Sequence, residues 1–116
     1  MTSSEEEIRG VRILHLAGDI SAMAMVDLDN LLQKHQENHV RRLVLDFNEV
    51  GDINYRGVGL LSERAFRIRG VGGEVKVAGL HGTVADAFQF VGADRLIDIY
   101  DSPREALASF GVQMGA

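Results

Sequence analysis

The sequence predicts one α/β domain built on a mixed sheet of four or five β-strands, with about four α-helices lying mainly on one face. From residue 40 onward, short apolar runs alternate with segments whose apolar residues recur at helical spacing. This alternation is typical of parallel strands joined by right-handed crossovers. Before residue 40 the pattern indicates a hairpin, which makes the sheet mixed. A length of 116 residues is that of a single domain, which we assign to residues 1–116.

The hairpin is predicted from the first apolar segment. Residues 11–17 alternate apolar and polar side chains and are rich in β-branched residues, so they indicate a strand. We expect residues 7–9 to pair with this strand as a short antiparallel partner, through a turn at Arg9 and Gly10.

A helix follows from Ser21, the expected N-cap, to about residue 36. The residues that fall at helical spacing in this segment are Ala24, Leu28, Leu31, Leu32 and His35. Residues 41–47 then form a mostly apolar run, which is typical of an interior strand covered by helices.

The second helix is predicted over residues 57–69 and ends in the glycines of residues 70–73. One face of this helix is lined by Val58, Leu61, Ala65 and Ile68. Residues 74–78 are expected to form the next strand.

The third helix is predicted to begin at Thr83 as its cap, with Asp86 at the capping-box distance and Gly92 at its end. The side chains expected to face inward are Val84, Ala87, Phe88 and Val91.

The last strand is predicted at residues 96–100 and is followed by a strong helix start. Ser102 is the expected cap, proline follows at the first helical position, and Glu105 lies three residues after the cap. We expect this helix to run through residue 110 and the tail, residues 111–116, to be frayed.

Composition excludes several classes of function. The net charge of −5, from 17 acidic and 12 basic residues, argues against a nucleic-acid partner. The chain has no cysteine, which removes thiolate zinc sites and cysteine nucleophiles and suits a reducing cytosol. No apolar run approaches the ~20 residues of a membrane span, and the acidic N-terminus is unlike a signal peptide. We therefore expect a cytoplasmic protein with no direct membrane insertion.

Polar residues in the sequence do not form a catalytic or metal-binding pattern. His35 and His39 are close in sequence, but a catalytic zinc needs three protein ligands, and we expect these histidines to be at the surface or half-buried. Ser62 lies within an amphipathic helix pattern and lacks the Gly-x-Ser-x-Gly elbow of a serine hydrolase. Asp46 ends a predicted central strand, yet the acidic pair and the lysine of a response-regulator receiver are missing. We expect no enzyme activity, no metal and no cofactor.

Arginines cluster on one predicted helix, at positions Arg56, Arg64, Arg67 and Arg69. Such a row is by default a solvated helix face. Arginine is also favoured at protein interfaces, so the sequence supports a docking surface and a solvated face equally.

Residues 42–61 resemble a known family. They read Arg-Leu-Val-Leu-Asp-Phe-Asn-Glu-Val-Gly-Asp-Ile-Asn-Tyr-Arg-Gly-Val-Gly-Leu-Leu. This run is similar to the STAS family, the anti-sigma factor antagonist domains of bacterial partner-switching systems, in which Asp-Ser-Ser-Gly-Leu-Gly opens a helix after a strand ending in Leu-Asp-Leu. The family's other motifs are matched in the same order, at residues 18–20, 72–79, 84–97 and 102–108. The resemblance therefore covers nearly the whole chain.

The chain departs from the family at its switch site. Aligned on Gly57, the family's Asp-Ser-Ser corresponds to Asn54, Tyr55 and Arg56. In the family, one of those serine hydroxyls is phosphorylated by a cognate kinase that is also the anti-sigma factor, and phosphorylation abolishes binding. Tyr55 and Arg56 form a degenerate phosphoacceptor position, which implies a domain that serine phosphorylation does not switch.

The resemblance implies a non-enzymatic regulatory domain that binds a protein partner. That partner would be an anti-sigma factor with a histidine-kinase-like ATPase fold, and a homodimer is left open. The alternative is a STAS subunit of a larger assembly, either a stressosome-like scaffold or the accessory protein of a lipid-transport ABC system. The expected partner-binding residues are Asn54, Tyr55, Arg56, Gly57, Arg64 and Arg67.

Overall fold

A five-stranded mixed sheet forms the centre of the molecule in a computed structural model, which describes residues 1–113. The strands, in chain order and sheet order alike, are β1 (Thr2–Ile8), β2 (Val11–Ala17), β3 (Arg42–Glu49), β4 (Glu74–Ala78) and β5 (Asp98–Tyr100). The α-helices of these residues are α1 (Ala22–Glu37), α2 (Tyr55–Gly70), α3 (Gly82–Phe90) and α4 (Pro103–Ser109), with a 3₁₀ turn at Ala93–Arg95. β1 pairs antiparallel with β2 and the other neighbouring strands pair parallel, which confirms the predicted fold class.

Apolar clusters on both faces of the sheet hold the helices in place. The larger cluster packs α1, α2 and α3 on one face, and within it the rings of Phe47 and Phe88 meet edge to face at 5.6 Å between centroids. The smaller cluster lies on the opposite face, where Ala106 and Leu107 of α4 pack against Val44 of β3. The helices therefore lie mainly on one face, as predicted.

The N-terminal hairpin is longer than the sequence predicts. β1 begins at Thr2 instead of residue 7, and every residue from Thr2 to Ile8 pairs with β2. The prediction is too short because residues 2–7 carry no apolar side chain, so that their extended conformation comes from backbone pairing alone. Arg9 and Gly10 form the turn with φ of 47° and 85°, the left-handed conformation that a two-residue hairpin turn requires.

The third helix departs from prediction at its start and at one position expected to face inward. α3 begins at Gly82, and Thr83 does not cap it, because its hydroxyl instead donates to the carbonyl of Gly51 at 3.1 Å. Val91 does not face inward and is 39% exposed. Gly92 ends the helical segment with φ of 74°, as predicted.

The C-terminal segment is ordered further than predicted. Val112, placed by prediction in a frayed tail of residues 111–116, is 5% exposed, and its N–H donates to the carbonyl of Leu107 at 3.0 Å. Burial of an apolar side chain in the smaller cluster thus fixes the chain past α4. Residues 114–116 lie outside the described residues. β5 is shorter than predicted and starts at Asp98, because the N–H groups of Leu96 and Ile97 donate to the carbonyl of Ala93 in the preceding turn.

Candidate functional site

The predicted site lies where the carboxyl ends of β2 and β3 meet the N-termini of α1 and α2. The two connecting loops pair with each other: the N–H of Ile20 donates to the carbonyl of Asp52, and the N–H of Asn54 donates to the carbonyl of Ile20, both at 2.9 Å. Ile20 and Ile53 are buried beneath them. An open cleft of about 450 Å³ lies between the loops, next to the start of α2. The backbone at this position is therefore held firmly by contacts from two sides.

Asn54 caps α2 and sets its first residue at Tyr55, two residues before the predicted start. The Oδ1 atom of Asn54 accepts hydrogen bonds from the backbone N–H groups of Arg56, at 3.0 Å, and Gly57, at 3.3 Å. These are among the N–H groups that a helix start leaves without an intrahelical acceptor. An uncharged amide oxygen thus already occupies the place where a helix terminus would attract an anion.

An exposed aromatic pair lies beside this cap. Tyr55 is 50% exposed, and its ring meets that of Phe90 from α3 at 5.2 Å between centroids and 68° between planes. Phe90 is 80% exposed and was not among the predicted site residues. A large apolar residue at an outward position of the helix, two residues after the buried Phe88, is the sequence feature that could have revealed it. Exposed aromatic side chains of this kind are enriched in the centres of protein interfaces.

Arg56 and Arg67 lie far apart on α2. Arg56 directly follows Tyr55, is exposed, and takes part in none of the ion pairs found within residues 1–113. Arg67 lies about 16 Å farther along the helix axis. Its guanidinium pairs with the carboxylate of Glu63 at 2.9 Å, and both side chains are 59% exposed. Of these two arginines, Arg56 is therefore the one that neighbours Tyr55 along the chain.

Arg64 has a different environment from the other two arginines. Its Nε donates to Oδ1 of Asp29 at 2.8 Å, and its Nη2 donates to Oδ2 at 3.1 Å. The two side chains are only 11% and 16% exposed. The hydrogen bonds to Asp29 raise the pKa of Arg64 above its ordinary value. Arg64 therefore joins α2 to α1 through Asp29.

Gly57 has a packing role at the start of α2. A Cβ atom at this position would lie 2.8 Å from Cγ of Met25, which is 1% exposed in the core. The glycine therefore allows α2 to approach α1 closely. Gly57 is buried, so it supports the surface formed by Tyr55 and Arg56 without being part of it.

The histidines and carboxylates of residues 1–113 include no group of three or more that could hold a metal ion. His35 is 6% exposed, so it is buried and not at the surface or half-buried as predicted, and its Nδ1 donates to the carbonyl of Leu31 at 2.8 Å. His39 is exposed and does not share a site with it. Within the same residues, no helix has both the length and the apolar character needed to cross a bilayer.

Comparison with known proteins gives a consistent set of similarities. A family model described as STAS domain matches residues 4–106. The chain is 28% identical over 111 residues to the anti-sigma F factor antagonist of Paenibacillus polymyxa, and the match covers 92% of each chain. An anti-sigma factor antagonist from Mycobacterium paratuberculosis has a similar structure, with a TM-score of 0.82, 19% identity, and coverage of 93% of this chain and 92% of that one. The Bacillus cell fate determinant SpoIIAA in its phosphorylated form gives a TM-score of 0.71, 19% identity, and coverage of 94% and 99%.

Proposed function

The chain belongs to the STAS domain family, and from that premise we propose that it is a non-enzymatic protein-binding regulator of the anti-sigma factor antagonist type. The proposal is supported by a relative of that name whose similarity extends over 92% of both chains. The proposed partner is an anti-sigma factor with a histidine-kinase-like ATPase fold.

The surface that we infer for this partner consists of Asn54, Tyr55, Arg56 and Phe90. Removing the two exposed rings from water would supply the apolar part of the binding energy, at about 25 cal/mol for each Å² buried. Arg56 would supply specificity, because an exposed guanidinium with no ion-pair partner among the described residues favours a carboxylate on the opposite surface. Arg67 would lie at the margin of this surface, since its charge is already paired with Glu63.

The observation that carries the regulatory part of the proposal is the side chain chemistry at the start of α2. Tyr55 and Arg56 stand where the family has its serines, so neither position carries the aliphatic hydroxyl that a serine kinase modifies. The hydroxyl of Tyr55 lies at the far end of a ring that packs on Phe90. We therefore propose that serine phosphorylation does not switch this domain.

The test uses the anti-sigma factor kinases encoded in the same genome, purified one at a time. Titration calorimetry should find one that binds the chain, and incubation with that kinase and ATP should leave residues 52–59 unmodified in mass spectrometry. The matched control is the Tyr55→Ser/Arg56→Ser double variant, which restores both hydroxyls and should become phosphorylated.

Two results would contradict the proposal. Phosphate on Tyr55 of the unaltered chain would show that the site still responds to a kinase. Failure of every such kinase to bind, together with stable binding to a permease or scaffold protein, would favour the alternative of a subunit in a larger assembly.

A further inference from the structure

The edge strand β1 has almost no apolar contact to hold it in the sheet. Among the described residues it pairs with β2 alone, and every side chain from Thr2 to Glu7 is exposed. Ile8 is its one partly buried apolar residue. Backbone pairs with little apolar burial open more readily than those of the core. The side chains that hold β1 are instead its glutamates.

On the α4 face of the sheet, His15 lies between two carboxylates. Its Nδ1 is 2.7 Å from Oδ2 of Asp46, and its Nε2 is 2.7 Å from Oε1 of Glu6. An ionised carboxylate only accepts hydrogen bonds, so both contacts are satisfied only when both ring nitrogens carry protons. Asp46 is fixed further by hydrogen bonds from the backbone and side chain of Asn48, at 3.0 and 2.8 Å. Glu6 of β1 is therefore the carboxylate that is free to move away.

On the opposite face, His35 of α1 makes an equivalent contact with the neighbouring glutamate. Its Nδ1 donates to the carbonyl of Leu31 at 2.8 Å, and its Nε2 is 2.5 Å from Oε1 of Glu5. Glu5 also accepts a hydrogen bond from Nη1 of Arg12 at 3.2 Å. Two histidines on opposite faces thus hold adjacent glutamates of one strand.

We propose that β1 is a pH-gated edge strand, which is docked while His15 is protonated and opens from β2 when His15 loses its proton. The hinge is the turn at Arg9 and Gly10. Opening removes the seven-residue ladder between the two strands and frees the backbone edge of β2.

The surrounding charges set the direction of the gate. The charged groups that face His15 are Glu6 from β1 and Asp46 from β3. The charged group that contacts His35 is Glu5 from β1, whose carboxylate also accepts a hydrogen bond from Arg12 of β2. Burial by itself would lower the pKa of His15, but the hydrogen bonds to Glu6 and Asp46 outweigh it and raise the pKa above the ordinary 6.5.

A raised pKa in the folded state fixes the sign of the pH dependence. The contribution of His15 to docking is complete below pH 6.5, the pKa of the unfolded chain, and is lost as the pH rises through the folded-state pKa. The strand therefore opens on the alkaline side of that range.

Hydrogen–deuterium exchange of the whole chain, measured between about pH 5.5 and about pH 9, tests the proposal. The exchange rates are corrected for the intrinsic dependence of amide exchange on pH. Protection of the β1 amides should fall severalfold over this range, with a midpoint that follows the titration of the His15 ring. Protection of the α2 amides should stay constant.

Three variants separate the gate from a general pH effect. His15→Gln should leave β1 weakly protected at all pH values and reduce the pH dependence. Glu6→Gln changes a side chain that is 48% exposed, so it should leave the core intact while lowering the pKa of His15 measured by NMR of the ring. The matched control is His39→Asn at an exposed histidine with φ of 61°, where asparagine is tolerated, and it should keep the profile of the unaltered chain.

Several results would overturn the proposal. One is constant β1 protection across the pH range in the unaltered chain. Another is an unchanged pH profile in the Glu5→Gln/Glu6→Gln double variant, whose positions are too exposed for the substitutions to unfold the domain. A loss of protection shared equally by α2 would also overturn it, because that result reports global unfolding.

Discussion

The substitution Arg64→Ala should destabilise the domain, although Arg64 belongs to an arginine-rich helix. It leaves the carboxylate of Asp29, only 16% exposed, without two charge-assisted hydrogen bonds of 2.8 and 3.1 Å. Hydrogen bonds to charged groups contribute about 1.5–3 kcal/mol, whereas fully exposed ion pairs contribute only about 0.2–1 kcal/mol. Because both side chains are mostly buried, the larger of these two ranges applies to the pair. Water can reach the carboxylate of Asp29 once the guanidinium is gone, which keeps the loss below the upper end of that range. We therefore expect a loss of about 2 kcal/mol in the free energy of unfolding.

Urea unfolding followed by circular dichroism measures this loss, and a double-mutant cycle with Asp29→Ala isolates the pair. The coupling energy should be about 1.5 kcal/mol. The matched control is Arg67→Ala, which removes a 2.9 Å bond to Glu63 between side chains that are 59% exposed. This control should change stability by no more than about 0.5 kcal/mol. A coupling energy below about 0.5 kcal/mol, or equal stability of the two arginine variants, would refute the reasoning.

Three further measurements follow from the same contacts. Phe88→Ala should cost about 3–5 kcal/mol in urea unfolding, because the ring is buried against Phe47, and a loss below about 1 kcal/mol would mean that it lies outside the core. Arg56→Glu should change stability by no more than about 0.5 kcal/mol, since an acid suits a helix start, but should weaken partner binding by about 2 kcal/mol in calorimetry. Unchanged affinity would move the interface away from Arg56. Burial by itself would raise the pKa of Glu5, but hydrogen bonds from His35 and Arg12 outweigh it and lower that pKa below 4.5. The contribution of Glu5 to the docking of β1 is therefore present above pH 4.5 and is lost as the pH falls through the lowered pKa. Exchange protection of β1 should then decrease in acid before that of the core, and a simultaneous loss would contradict this expectation.

Elements determined by neighbours along the chain could be predicted from the sequence. β2 and β4 begin and end at the predicted residues, because alternation and apolar content mark them without reference to distant partners. The hydroxyls of Ser21 and Ser102 each accept an N–H bond from three residues ahead at 3.2 Å, as capping patterns predict.

Features determined by distant partners could not be predicted in the same way. Thr83 has the sequence pattern of a cap, but the carbonyl of Gly51 offers its hydroxyl a better partner across the fold. Arg64 has the spacing of a surface residue, and only the packing of α1 against α2 brings Asp29 to it, 35 residues away in sequence. The pairing of Tyr55 with Phe90 likewise depends on how α2 and α3 meet.

The covering of β2 by β1 bears on aggregation. β2 is apolar on both faces, and the side chains of Val11, Ile13, Leu14 and Leu16 are no more than 1% exposed. A short β-rich segment of this kind, without proline, is prone to stack into fibrils when its edge is free. β1 covers that edge with a strand that is polar from Thr2 to Glu7 and carries three successive glutamates, whose repulsion disfavours the addition of another copy. Proteolytic removal of β1 would therefore turn the most apolar strand of the sheet into a template for fibril growth.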